Sequence, residues 1–147
     1  MDLFGTKELD GYTIIVGCGR LGAILASKLS DSGEDVLIID KYKESFTKLP
    51  MSFAGIALPG DATEESVLRD AEIEKAMAVL AVTDNDNTNI MVALMAKEIF
   101  KVDYVICRLY DFERECVYKE FGIDTICPAT LSADEIVRVL SVSKESE

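Results

Sequence analysis

The sequence has no histidine, no tryptophan and only three prolines, and no uninterrupted apolar run exceeds seven residues. Without histidine a Cys–His nucleophile is impossible, and a zinc site loses its usual ligand pattern. A membrane-spanning helix needs about 20 apolar residues, so direct membrane insertion is not expected. The amino-terminal stretch MDLFGTKELD is acidic and lacks the apolar segment of a secretory signal, which leads us to expect a cytoplasmic protein. The four cysteines (Cys18, Cys107, Cys116 and Cys127) include no C-x-x-C pair. We read all four as reduced thiols serving as small core residues.

Positive charge is scarce as well. Fifteen basic residues face 27 acidic ones, for a net charge of −12. The basic residues are scattered. A nucleic-acid binder needs a basic stripe to displace counterions from phosphates, so nucleic acid is excluded as a partner. Direct docking on an anionic membrane surface is disfavoured for the same reason. A basic protein partner is permitted, although a solvated acidic surface is the plainer explanation.

What is present suits one globular unit. The chain has 147 residues, 49% of them hydrophobic, enough for a single core. Strand candidates at Tyr12–Val16, Asp35–Asp40, Phe53–Leu58, Ala76–Val82, Tyr104–Leu109 and Thr125–Cys127 include near-continuous apolar runs. Such runs mark strands covered on both faces, as in a parallel sheet. Helix candidates lie between them at Arg20–Ser32, Tyr42–Leu49, Glu64–Ala71, Asn85–Phe100 and Asp111–Phe121, with a last one at Ser132–Leu140. In the first, Leu21, Ile24, Leu25 and Leu29 form one helical face. Alternation of this kind predicts an α/β fold: a doubly wound, six-stranded parallel Rossmann sheet in a single domain. The expected layout is an arm over residues 1–11, the Rossmann domain over 12–140 and a frayed polar tail over 141–147.

G-C-G-R-L-G at Gly17–Gly22 matches G-x-G-x-x-G, a weak signal alone. Here it directly follows a predicted strand and opens an amphipathic helix. Gly17 allows the tight turn, Gly19 lets a phosphate approach bare backbone, and Gly22 lets the helix pack closely on the sheet. The backbone of Cys18, Arg20 and Leu21 completes the turn at the positive end of the helix dipole. Asp40 ends the second strand, about 20 residues on, where a carboxylate accepts from ribose hydroxyls. It also repels a 2′-phosphate, an exclusion that Lys41 beside it softens.

Further candidates lie at the carboxyl ends of later strands, where open α/β sheets bind ligands. Asp61, with a backbone N–H such as that of Ala62, suits an adenine edge, or else Asp61 caps the next helix. Thr83, Asp84 and Asn85 suit ribose or phosphate, or simply cap the long helix. Arg20 suits a terminal phosphate, or is a solvated arginine at a helix start. Arg108, flanked by apolar residues, needs a partner, either phosphate or carboxylate. We read no metal site and no catalytic residue. No Tyr is followed four residues later by Lys, and the expected elements leave no room for a substrate region with a positioned acid or base.

The combination G-C-G-R-L-G, IID ending at Asp40, GDAT at Gly60–Thr63, AVTDNDNTN at Ala81–Asn89, VICRLYD at Val105–Asp111 and GIDTICPATLSADEI at Gly122–Ile136 resembles the N-terminal nucleotide-binding domains (RCK, KTN or TrkA-N) of Trk/Ktr-type potassium-uptake regulators. The resemblance covers roughly Tyr12 to Leu140. It implies a cytosolic regulatory subunit, not an enzyme, that controls a membrane potassium-transporter subunit. It also implies a homodimer or larger ring and an adenine nucleotide (ATP, ADP, AMP, NAD or NADH) in the crevice. By position, Gly17, Gly19 and Gly22 approach phosphate, Asp40 holds ribose, and Asp61 and Ala62 meet adenine. Arg20 matches an arginine that some members aim at nucleotide phosphates, which favours ATP or ADP. Ser132–Leu140 matches the family's crossover helix used in pairing. Many members continue into a smaller C-terminal ligand-binding domain, whereas this sequence stops near Glu147. Two alternatives stay open: the cofactor-binding part of an NAD-dependent oxidoreductase, and an oligomerising module whose nucleotide is purely structural.

Overall fold

The computed structural model describes residues 11–145, so the expected amino-terminal arm and the last two residues lie outside the described part. Six strands form one sheet: β1 (Tyr12–Val16), β2 (Val36–Asp40), β3 (Ile56–Pro59), β4 (Ala76–Ala81), β5 (Tyr104–Arg108) and β6 (Asp124–Ile126). Their spatial order is β3-β2-β1-β4-β5-β6, and every neighbouring pair is parallel. This is the doubly wound Rossmann order. Its direction of winding reverses between β1 and β4, leaving a crevice at the carboxyl ends of those strands.

The apolar runs are two-faced for a physical reason. Side chains alternate along a strand, so a strand with helices on both sides has no polar face. Ile14 and Val16 of β1 and Ile39 of β2 pack on one side with Leu68, Val92 and Ala93. Ile15 and Ile38 pack on the other with Ala23, Ala26 and Leu29. Ile14, Ile15, Ile38 and Ile39 are fully buried, each contributing about 2 kcal/mol by removal from water.

Among the described residues are five α-helices: α1 (Arg20–Asp31), α2 (Glu65–Asp70), α3 (Asp86–Leu94), α4 (Glu115–Lys119) and α5 (Pro128–Glu145), the last with no buried residue. Three of the expected helices come out differently. Tyr42–Leu49 is a 3-10 turn over Lys43–Lys48, and Asp111–Phe121 divides into a 3-10 turn at Phe112–Arg114 and the short α4. The last helix begins at Pro128, four residues before Ser132, because proline is well placed in a first helical turn where its missing N–H costs nothing. It also runs through residues 141–145, where the sequence suggested a frayed tail. The long helix arrives almost as expected: α3 continues into a π-helical turn at Met95–Ile99.

Strand β3 starts at Ile56 instead of Phe53, whose ring packs against the α1-side core. As an edge strand it tolerates Pro59, which has no N–H to give a ladder. Among the described residues no helix is long and apolar enough to cross a membrane.

Candidate functional site

The ends of β1, β2, β3, β4 and β5 open onto a cavity of about 680 Å³. The chain needs glycine at two positions of the first turn. Gly17 has φ +105°, and a Cβ there would stand 2.9 Å from the Thr83 backbone nitrogen. At Gly22 a Cβ would stand 1.7 Å from the Gly17 carbonyl oxygen, so α1 can lie against β1 only if that side chain is missing. Gly19 differs. A Cβ there meets no described heavy atom within 4 Å, and its φ of −83° is open to any residue. Nothing within the described protein demands glycine at 19; what its bareness leaves open is the cavity it lines.

Gly19 is also the N-cap of α1, and it supplies no capping side chain. No acidic residue stands in that helix's first turn. The N-terminus of α3 is the opposite case. Asn85 caps it by accepting from the Thr88 N–H, and Asp86 sits in its first turn. A helix start leaves backbone N–H groups without intrahelical partners, and the helix dipole makes that end attract anions. α3 satisfies its own start. α1 leaves its start to whatever enters the cavity.

Asp40 stands beside that start. Its Oδ2 accepts from the Cys18 N–H at 2.8 Å and its Oδ1 from the Tyr42 N–H at 2.8 Å. Each carboxylate oxygen keeps acceptor capacity for a further donor. Asp61 also lines the cavity, with its Oδ1 taken by the Thr63 N–H and hydroxyl at 3.0 and 2.6 Å. Those bonds, the hydroxyl's first, hold its carboxyl below the usual range. Asp61 thus closes a local turn, while the N-cap of α2 is Glu64.

At the end of β4 the capping role expected of this stretch falls to Asn85. Thr83, Asp84 and Asn85 all line the cavity, and Asn85 is at the same time the cap of α3. Among the described residues Arg108 pairs with no carboxylate. Its Nε and Nη2 donate to the Thr83 carbonyl at 3.1 and 2.6 Å, and its guanidinium lies 5.2 Å from the centre of the Tyr110 ring.

Of the residues singled out from sequence, Gly17, Cys18, Gly19, Arg20, Asp40, Lys41, Asp61, Ala62, Thr83, Asp84, Asn85 and Arg108 line the cavity. Leu21 and Gly22 are not in its wall. Leu21 packs into the α1-side core, and Gly22 is the helix–strand contact. Thr63, of the loop expected to border the crevice, also lines it, and Tyr42, Ser45, Lys48, Thr88 and Tyr110 join the wall unforeseen. Lys48 was invisible because residues 43–48 read as a helix leading away, whereas the 3-10 turn brings them back over Asp40. In a chain of net charge −12, this wall carries four cations (Arg20, Lys41, Lys48, Arg108) against three carboxylates (Asp40, Asp61, Asp84). That local excess suits a polyanion held close to a carboxylate.

The cysteines correct one expectation. Cys18 and Cys107 are buried, but Cys116 is exposed and Cys127 partly so, and neither of these is a core residue. Burial, then the Asp40 charge, pushes the Cys18 thiol up, and burial followed by Asp86 pushes Cys107 up to about 12. Cys127 is lowered, chiefly by a hydrogen bond from the Thr130 hydroxyl, with backbone N–H groups at the start of α5 adding to it. Since the thiolate is the nucleophile, Cys127 is expected to react first with iodoacetamide at neutral pH, ahead of the more exposed Cys116. Cys18 and Cys107 should stay unmodified in the folded protein, and mass mapping of a labelling time course checks the order.

Among the described residues no group of three or more His, Cys, Asp or Glu side chains is placed to hold a metal ion.

Comparison with known proteins fits this geometry. Over 129 residues the chain is 40% identical to a Trk system potassium uptake protein TrkA of Streptomyces coelicolor, covering 88% of this chain and 58% of that protein. Over 136 residues it is 32% identical to a Trk system potassium uptake protein TrkA homolog of Pyrococcus abyssi, covering 88% and 60%. The chain therefore spans about three-fifths of the length of these curated relatives. Among solved structures it is similar to the TrkA-N domain of the inner membrane protein ybaL of Escherichia coli (TM-score 0.78, 20% identity, 91% of this chain and 99% of that one). It is also similar to GsuK bound to ADP (0.76, 24%, 91% and 35%) and to a Shewanella denitrificans Kef C-terminal domain in its AMP-bound form (0.73, 21%, 89% and 80%). At these identities the structures speak for the fold alone. Residues 13–128 match the TrkA-N domain model, and the chain belongs to the TrkA-N domain family.

Proposed function

We propose that the cavity at the β1–β4 switch point binds an adenine nucleotide, and that the chain is the nucleotide-sensing part of a regulator of a membrane potassium transporter. The observation that carries this reading is the uncapped start of α1 facing the cavity, beside an α3 whose start is capped. An anion is what such a start accepts. The residues fit an adenosine phosphate. Gly17–Gly22 would take the phosphates, Asp40 the ribose hydroxyls, and Asp61 with Ala62 the adenine edge. Arg20, Lys41, Lys48 and Arg108 would supply the countercharge.

Support for the regulatory role comes from the relatives, which are named as potassium uptake proteins and not as enzymes. The nucleotide reading gains from neighbours solved with ADP and AMP. On this reading the protein works at the cytoplasmic side through its transporter partner and pairs as a dimer or ring. α5 suits the pairing role. None of its residues is buried within the chain, and it exposes Leu131, Ile136, Val137 and Leu140. A nucleotide controls a partner only if it binds two arrangements with different affinity, and more than one ligand must therefore be compared.

Calorimetric titration with ATP, ADP, AMP, NADH and NADPH tests the proposal. Binding of at least one ligand without a 2′-phosphate is expected, with NADPH weaker than NADH because Asp40 repels that group. Failure of all five to bind would end the reading.

A further inference from the structure

Asn89, on α3, is polar, fully buried and outside the cavity wall. The sequence places it in the long helix and at the end of the AVTDNDNTN segment, with no role of its own. Its amide makes four hydrogen bonds. Oδ1 accepts from the Thr83 N–H at 2.9 Å and the Thr83 hydroxyl at 2.6 Å, and Nδ2 donates to the Thr83 carbonyl at 3.0 Å and the Arg108 carbonyl at 2.9 Å. Every polar atom of Thr83 is thus bonded to Asn89. The same Thr83 carbonyl receives the Arg108 guanidinium. Asp86, one turn earlier on α3, accepts from the Tyr110 and Asp111 N–H groups at 2.9 and 3.1 Å. The first turns of α3 therefore clasp the end of β4 to the end of β5.

The amide pairs backbone groups that the strand ends leave over: an apolar residue at 89 would take these partners from the Thr83 N–H and the Arg108 carbonyl. Beyond that pairing, the amide fixes the Thr83 hydroxyl and the Arg108 main chain, both in the cavity wall, and shares the Thr83 carbonyl with the Arg108 guanidinium. Those two are also where the wall meets the far end of the sheet. Arg108 pairs with Ile126 of β6, the Leu109 N–H donates to the Ile126 carbonyl at 2.9 Å, and α5 starts two residues further on.

We infer that Asn89 is a positioning residue: it holds Thr83 and Arg108 in register, so that a nucleotide bound in the cavity is felt through β5 and β6 at the root of α5. This rests on the nucleotide reading proposed above, and it adds the route by which occupancy leaves the site.

The test uses the full chain and ADP. Asn89→Asp keeps the shape and the accepting oxygen but replaces the donating NH2 with a second oxygen facing the Thr83 and Arg108 carbonyls, and it is expected to weaken ADP binding about tenfold. In an Arg108→Ala background the same change should cost less than threefold, because the guanidinium that it positions through the shared Thr83 carbonyl is gone. In an Arg20→Ala background it should still cost the full factor. An equal loss in both backgrounds would mean that Asn89 only supports the fold, and would overturn the inference. Should Asn89→Asp not fold, nitrogen-15 NMR of the unaltered protein decides. With ADP, the Asn89 side-chain amide, the Arg108 Nε–H and the Ile126 amide are expected to shift together. Shifts at Gly19 and Asp40 with an unmoved Asn89 side chain would overturn this inference alone. No ADP-dependent shift anywhere would remove the nucleotide reading, and the inference with it.

Discussion

Alanine at Gly19 and alanine at Gly22 are expected to fail in opposite ways, although the two positions share one turn. At Gly22 the added Cβ would stand 1.7 Å from the Gly17 carbonyl oxygen, a backbone atom that cannot turn aside. Either α1 lifts from β1 or the turn distorts. Overpacking of this kind typically costs about 1–3 kcal/mol, and more where backbone must move, so a loss of about 3 kcal/mol is expected. In a chain of this size that lowers the thermal midpoint by roughly 10 °C. At Gly19 the Cβ meets nothing among the described residues and the backbone is extended, so the midpoint should stay within about 2 °C of the unaltered protein. Nucleotide affinity should nevertheless fall by about a hundredfold, since the methyl group enters the space from which a phosphate reaches bare N–H groups. Thermal unfolding and calorimetry on the two variants separate the cases. Equal stability losses at both positions would show that Gly19 serves the fold instead of a ligand.

The second large effect belongs to Asp40. Asp40→Ala removes the acceptor of the Cys18 and Tyr42 N–H groups together with the carboxylate proposed to hold ribose. Hydrogen bonds to a charged group contribute about 1.5–3 kcal/mol, so binding of an adenosine phosphate should weaken about thirtyfold or more. Stability should fall by about 1–3 kcal/mol, because water can replace the acceptor at exposed Tyr42 but not at buried Cys18, whose N–H loses its partner. Asp40→Asn makes the finer comparison. It keeps one acceptor oxygen and loses the charge, so it should recover part of the NADH affinity and relax the discrimination against NADPH. Identical affinities for NADH and NADPH in the unaltered protein would contradict the role given to Asp40.

Much of this architecture could be read from the residues because the physics that sets it is local. The bounds of β1 follow from an apolar run between a glycine and the glycine turn, and they come out as expected. The sheet order follows from right-handed crossovers once strands and helices alternate. The glycine turn and Asp40 were recognisable because their spacing reflects one chemical task. Other features depend on contacts distant in sequence. Lys48 enters the wall only because a 3-10 turn folds back over Asp40, and a helical pattern gives no sign of that. Leu21 seemed part of the turn, yet its side chain belongs to the core on the far side of the helix. Asn89 carried a faint signal: an amide four residues after the cap of α3, on the face it shares with Val92 and Ala93. Its partners, Thr83 and Arg108, are brought together only by the pairing of β4 with β5.

The central claim is that α1 begins without a cap because its cap is a ligand's phosphate. A crystal structure of the protein grown with ADP tests it most directly. The account predicts diphosphate oxygens within hydrogen-bond distance of the backbone nitrogens from Gly19 to Gly22, with ribose hydroxyls on the Asp40 carboxylate. ADP bound elsewhere, with the start of α1 facing only water, would contradict it.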